Sequence, residues 1–310
     1  MTEPPFHMDA YAPAEMAARV ETVGVAKAHL DAATTFALAV LGGAFIALGA
    51  NLATVLLTEH GLGYGASRVA GGVVFSLGLM LVLVGGAELF TGNSLMVMAW
   101  ASGKVSTGRV LRNWLIVYAG NFTGALATAV GIYLSRQWTF DAHQVGATAV
   151  TIALTKVHHG VLPAFVLGVF GNALVCLAVW LCVSARTTTD KILAIVPPIT
   201  AFVAAGFEHS VANMYFIPLA LFIRGDASVV DRLGQSAGPL AQLTWAGFVL
   251  HNLVPVTLGN LVGGGVLVAA VYWFIYLRAR AGNRVVRTWR DLARSRAEAD
   301  RTAHDAGETP

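Results

Sequence analysis

Two stretches of the sequence hold a carboxylate inside otherwise apolar surroundings. Gly86-Ala-Glu88-Leu89-Phe90-Thr91-Gly-Asn93 sits within the run from Val69 to Trp100, and Gly206-Phe-Glu208-His209-Ser210-Val-Ala-Asn213 within the run from Ile192 to Ile223. Both read Gly-x-Glu-x-x-x-x-Asn, 120 positions apart, which makes them two copies of one half-site. A charge at membrane depth is costly, so each glutamate must be neutralised or satisfied by hydrogen bonds. We expect Glu88 and Glu208 to accept from backbone N–H groups freed where a helix breaks. Asn93 and Asn213 are expected to serve the same breaks, with no lysine or arginine of the spans joining them. His209 is different in kind. Leu89 stands at its place in the first copy, so the imidazole is not needed to build the half-site. Beside Ser210 and across from Thr91, it points to a path for a proton or a small anion. Half-helices starting near Thr91 and Ser210 would turn their positive N-terminal ends to the midplane, favouring an anion or its neutral conjugate acid.

The elements that must hold these stretches are membrane spans. Of 310 residues 56% are apolar and 12% charged, with a mean hydropathy of +0.67, which leaves too little polar surface for a water-soluble globule. Six stretches are long enough to cross about 30 Å of hydrocarbon. They are Phe36–Leu57, Val69–Trp100, Val110–Leu134, Val161–Val183, Ile192–Ile223 and Phe248–Leu277. The second and fifth are too long for one straight span and contain the polar insertions, so each is expected to be a broken helix. Gly120-Asn121 and Gly124 in the third span repeat as Gly259-Asn260 and Gly263 in the sixth, and Asn51 in the first pairs with Asn172 in the fourth. Three spans per half is an odd number, so the second half enters the membrane upside down. The expectation is an all-α membrane protein with an inverted 3+3 repeat. The halves cover about 34–136 and 157–279. Before them, residues 1–33 form a cytoplasmic segment in which Met16, Val20, Val23 and Leu30 mark a short amphipathic helix from Pro13 onward. After them, 280–310 form a basic cytoplasmic tail, with Val286, Trp289 and Ala293 as the apolar stripe of a surface helix.

The formal charge of +3 would suit a nucleic-acid partner, but the basic residues bracket apolar spans and read as topology signals. With the N-terminus in the cytoplasm, 15 of the 20 Lys and Arg fall on that side, which puts both termini there and the protein in the cytoplasmic membrane as a multi-pass protein. The start, MTEPPFHMDAYAP, shows no basic region followed by an apolar one, so no cleaved signal peptide is expected. Cys176 and Cys182 share one apolar run without a partner at ligand spacing, which suggests neither a metal site nor a disulfide. Around the half-sites Phe75, Leu79, Leu89, Phe90, Val175 and Phe202 are large and apolar, and periodicity alone does not say whether they face lipid, core or pore.

The motifs GAELFTGNSLMVMAWASGKVS, KVHHG, GNALVCLAVW, FEHSVANMYFIP and NLVPVTLGNLVGGG, in this order, resemble the formate/nitrite transporter family from about Phe36 to Arg278. The resemblance implies an aquaporin-like fold assembled as a homopentamer with one pore per protomer. It implies that His209 is the central pore residue, with Thr91 and Asn172 as its polar neighbours and Lys156 attracting anions at a vestibule. Phe75, Leu79, Leu89, Phe90, Val175 and Phe202 then correspond to hydrophobic constrictions. The stretch from Arg224 to Gly247, the Lys156-Val-His-His159 motif and the run from Asn252 to Thr257 look more like formate-channel members than nitrite or hydrosulfide members.

The function so implied is bidirectional passage of formate, with His209 sharing or transferring a proton so that a nearly neutral species crosses the dry constrictions. Formate, protons and membrane lipid are the partners, with no nucleic acid and no cofactor. One alternative keeps the class and changes the cargo to nitrite, hydrosulfide or lactate. Another is a water or glycerol facilitator, against which the positions of the two Asn-Pro-Ala boxes read Asn93-Ser94-Leu95 and Asn213-Met214-Tyr215. A membrane enzyme is the third, and the sequence shows no haem-ligand pair, cysteine cluster or nucleotide loop for it.

Overall fold

The computed structural model describes residues 10–58, 61–234 and 239–279, so the tail from 280 and its apolar stripe lie outside the described residues. Helix α1 runs Pro13–His29, α2 Ala32–Leu57 and α3 Tyr64–Leu83. After a break come a tight turn, Gly92–Met96, and the short helix α4, Val97–Ala101. Then follow α5 Thr107–Ser135, α6 Gln144–His158, α7 Val161–Ser184 and α8 Thr188–Ala204; after a second break come α9 Ser210–Ile223 and α10 Ala227–Leu233. The last long helix, α11, is continuous from Trp245 to Tyr276. Helices α2, α3, α5, α7 and α11 are each long and apolar enough to cross a bilayer, and α8 with α9 completes the sixth span around its break. Helix α9 forms the centre, with every residue from Ser210 to Ala220 buried.

Local chemistry explains where the two spans break. Gly86 and Gly206 take φ of +87° and +75°, a left-handed conformation that stops a helix and that glycine adopts without Cβ strain. Val82 O then accepts from the N–H groups of Gly86 and Ala87, and Phe202 O from that of Phe207, so the last turns of α3 and α8 are closed. The opposite end of the second break starts afresh at α9, whose N-cap is His209 itself.

Small residues set how closely the helices cross at these breaks. A Cβ on Gly42 of α2 would lie 2.2 Å from Glu88 O, and one on Gly171 of α7 2.3 Å from Glu208 O, so both contacts exist only with glycine. This fixes the internal register. Gly42 and Gly171 are 129 positions apart, as are Leu38 and Leu167, whose carbonyls accept from the N–H groups of Glu88 and Glu208. By that register Asn172 matches Gly43, so the expected pairing of Asn51 with Asn172 does not hold. Asn51 instead accepts a hydrogen bond from Tyr215 Oη at 2.8 Å. Gly171→Ala is expected to cost about 1–3 kcal/mol, because a backbone carbonyl must move to admit the methyl. Gly131→Ala, where an added Cβ meets nothing, is the control, and melting of the two variants in detergent at one scan rate checks the difference.

The amphipathic helix expected near the N-terminus packs against the protein. Met16 and Val20 of α1 are buried in a cluster with Leu95, Met98, Cys176 and Trp180. Val23, expected on the same face, is 49% exposed. Helix α6 lies between the third and fourth spans and carries no expectation from hydropathy, although Val145, Ala149, Val150, Ala153 and Val157 give it one buried face.

Candidate functional site

Each glutamate at a break is met by a lysine, which corrects the expectation that none joins them. Lys27 Nζ, near the end of α1, lies 2.8 Å from Glu88 Oε1 and donates also to Asn93 Oδ1 at 2.8 Å. Lys156 Nζ, near the end of α6, lies 2.8 Å from Glu208 Oε1. Sequence reasoning counted only cations inside the spans, whereas these two reach in from the shorter helices beside them. Around each pair the asparagines repeat the same pattern. Asn93 Nδ2 donates to Glu88 Oε2 at 2.7 Å and to Asn113 Oδ1 at 2.8 Å; Asn213 Nδ2 donates to Glu208 Oε2 at 2.6 Å and to Asn252 Oδ1 at 2.7 Å. The duplicated unit therefore includes α1 and α6, and the half-sites read Lys27, Glu88, Asn93, Asn113 and Lys156, Glu208, Asn213, Asn252.

The carboxylates thus bind side chains, and the backbone groups freed at the breaks find other partners. Asn121 Oδ1 accepts from Phe90 N at 2.9 Å while its Nδ2 donates to Glu88 O at 2.8 Å. Asn260 Oδ1 accepts from Ser210 N at 2.9 Å and its Nδ2 donates to Glu208 O at 3.1 Å. An amide carries both a donor and an acceptor, so it can bridge the C=O on one side of a break and the N–H on the other; a carboxylate cannot.

His209 and Thr91 meet where the two halves face each other. Thr91 Oγ1 is 2.9 Å from His209 Nε2, and both residues are buried. His209 Nδ1 accepts from Ala212 N at 3.1 Å, so Nδ1 carries no proton and the ring is the Nε2–H tautomer. Nε2–H then donates to Thr91 Oγ1 and leaves the threonine hydroxyl hydrogen free for a guest. Each half gives one polar group: Leu89 opposes His209 by the repeat, and Val211 opposes Thr91.

Two cavities approach this pair. One of about 340 Å³ lies beside α1, lined by Arg19, Lys27, Leu79, Leu89, Asn93 and Lys191 among others. The other, of about 730 Å³, lies beside α6 and includes Arg68, Phe75, Lys156, Phe202, His209 and Arg232. Leu79 and Leu89 line the first cavity, while Phe75 and Phe202 lie tilted against each other in the second with ring centroids 5.9 Å apart, and Phe202 is edge-on to His209 at 6.0 Å. The remaining expected site residues fall elsewhere. Phe90 packs on Tyr118 and Trp114, with ring centroids 4.8 and 6.3 Å away, and Val175 is buried without lining either cavity. Asn172 is fully buried and donates to Thr91 O, Ser94 Oγ and Asn260 O, so it touches the backbone of Thr91 and not the imidazole.

Lys156 lines the larger vestibule, but Glu208 balances its charge. Arg68 has no such partner among the described ion pairs. Its guanidinium donates to the carbonyls of Val203 and Ala204 at the end of α8, where it offsets the negative end of that helix. Sequence reasoning gave Arg68 no role; its only signal was a basic residue opening a span. Lys27, Asn113 and Asn252 were also missed, and the 129-position register linking Lys27 to Lys156 would have found the first of them.

Comparison with known proteins agrees with this architecture. The family profile described as formate/nitrite transporter matches residues 14–274. The chain is 42% identical over 273 residues to the formate channel FocA of Escherichia coli K12, covering 87% of this chain and 96% of that one. Among solved structures it resembles a pentameric formate channel with formate bound (TM-score 0.74, 43% identity, 80% of this chain and 98% of the other). It also resembles an FNT family ion channel (TM-score 0.73, 27% identity, 84% and 98%).

Proposed function

The chain belongs to the formate/nitrite transporter family, and on that footing we propose that it passes formate in both directions across the cytoplasmic membrane as a homopentamer with one pore in each protomer. The relatives that carry this reading are formate channels, and one solved relative is pentameric with formate bound. The observation that supports it most is the hydrogen-bonded pair of Thr91 and His209, with Leu79 and Leu89 lining the cavity on one side and Phe75 and Phe202 the cavity on the other.

Formate gathers in vestibules whose positive potential comes from Arg68 and Arg232 on one side and Arg19 and Lys191 on the other, the charge of Lys156 being balanced by Glu208. It then meets the Thr91 hydroxyl, behind which Nε2–H of His209 feeds its own hydrogen bond. The N-terminus of α9 adds its dipole at the same place. Sharing this proton lowers the charge that must cross between Leu79, Leu89, Phe75 and Phe202. Complete transfer needs a second proton on Nδ1, and that proton displaces the hydrogen bond from Ala212. The pore therefore stabilises the anion at neutral pH and hands over a proton as the medium becomes acidic. In this reading both termini face the cytoplasm, and α1 covers the inner vestibule.

Formate flux into proteoliposomes, followed at several pH values with nitrite as competitor, tests the proposal. Wild-type flux should rise as protons are supplied, and His209→Asn should keep a hydrogen-bond donor yet lose the pH dependence. Nitrite outcompeting formate would move the cargo within the family, and swelling in water or glycerol without anion flux would make the protein a neutral-solute facilitator.

A further inference from the structure

We infer that Asn260, buried on α11 and distant in sequence from the half-sites, is the positioning residue that aims the His209 imidazole. The inference rests on the reading of His209 as the group that meets formate. The carbonyl of Glu208 belongs to the peptide unit before His209, and the N–H of Ser210 belongs to the unit after it. Asn260 holds both: Nδ2 donates to Glu208 O at 3.1 Å and Oδ1 accepts from Ser210 N at 2.9 Å. A peptide unit is planar, so fixing the planes on either side of one residue fixes the direction of its Cα–Cβ bond. The remaining Nδ2 hydrogen goes to Gly168 O at 2.8 Å, which anchors the amide to α7 and uses its last donor. The amide has no freedom to do anything else.

The same clip also reaches Thr91. Asn260 O accepts from Asn172 Nδ2 at 2.7 Å, and Asn172 Nδ2 lies 3.2 Å from Thr91 O. Asn172 is thereby the strut that sets the spacing between Thr91 and the loop carrying His209. This accounts for an asparagine buried beside a pore that it does not line.

The first half contains the control. Asn121 Oδ1 accepts from Phe90 N at 2.9 Å, and Nδ2 donates to Glu88 O at 2.8 Å and to Ala39 O at 2.7 Å. It holds the two peptide units around Leu89 as Asn260 holds those around His209, yet the side chain it aims has no proton to give. If these asparagines only support the fold, their loss should have the same consequence in both halves. If Asn260 positions the imidazole, only its loss should change the proton dependence of transport.

Asn260→Ser and Asn121→Ser, each with and without His209→Asn, are reconstituted and assayed for formate flux across a pH series, with assembly followed by size exclusion in detergent. Asn260→Ser should lower flux by about a hundredfold, the order of loss that about 1 Å of misplacement can produce, and flatten the pH profile as His209→Asn does. Asn121→Ser should lower the maximal rate and leave the profile shape intact, and in the His209→Asn background Asn260→Ser should flatten nothing further. The inference is overturned if His209→Asn flattens the profile and Asn260→Ser does not, or if both serine variants change it alike. Should wild-type protein carry no formate, or His209→Asn keep the wild-type profile, the reading beneath the inference fails and the inference falls with it. If Asn260→Ser does not assemble, the isosteric pair Asn260→Asp and Asn121→Asp makes the same comparison, because aspartate keeps the acceptor for Ser210 or Phe90 and loses the donors.

Discussion

Leucine in place of His209 is expected to cut formate flux into proteoliposomes on the order of a hundredfold while the protein still assembles. The fold already has a leucine at the matching position, since Leu89 is 3% exposed where His209 is 2% exposed. What disappears is the donor behind the Thr91 hydroxyl, and with it the imidazole proton that could be shared. A charge at the centre of a membrane carries a penalty of roughly 2.5–3.5 kcal/mol even on a lenient scale. Each ~1.4 kcal/mol of barrier is tenfold in rate, which gives the hundredfold figure. Uptake of labelled formate at neutral pH is the measurement, and flux close to that of wild type would show that the imidazole takes no part in the crossing.

The second large effect concerns stability. Lys156→Met is expected to destabilise the protein by about 3–5 kcal/mol, because it leaves Glu208 charged, buried and without its cation. Lys27→Met should do less, since the Lys27 side chain is 25% exposed against 13% for Lys156 and water can reach its place. The double variant Lys156→Met with Glu208→Gln should recover most of the loss: the glutamine oxygen still accepts from Asn213 and no charge is left behind. Melting of the single and double variants in detergent at one scan rate decides it. A double variant no more stable than Lys156→Met would mean that the ammonium serves something other than Glu208.

The sequence shows the six spans, the two breaks and the place of His209 because each leaves a one-dimensional mark. Hydropathy marks a span, and a polar insertion after a glycine marks a break. The marks end where three-dimensional partners begin. Lys27 and Lys156 lie on helices too short and too polar to register as spans, so their reach into the membrane is set by packing that hydropathy does not encode. The carboxylate acceptors were therefore assigned to backbone donors that Asn121 and Asn260 in fact satisfy. Both asparagines were visible as a repeated motif without a partner. The mispairing of Asn51 with Asn172 has the same origin: matching letters at a similar depth ignores the glycine contacts that set the register. For the constrictions, Phe90 and Phe202 look alike in sequence, yet Phe90 turns to Tyr118 and Trp114 and Phe202 turns to His209. Only the packing of α5 tells them apart.

The inverted arrangement of the two half-sites bears on electrical behaviour. On the proposed role, an ion entering from either end passes a lysine and glutamate pair, apolar side chains and the same central pair of side chains. With equal formate on both sides, the current–voltage relation of such a pore should be close to odd-symmetric. Rectification can arise only where the copies differ: histidine against leucine, threonine against valine, and a mouth of about 730 Å³ against one of about 340 Å³. In the role proposed above, the direction of formate movement then follows the gradients a cell maintains.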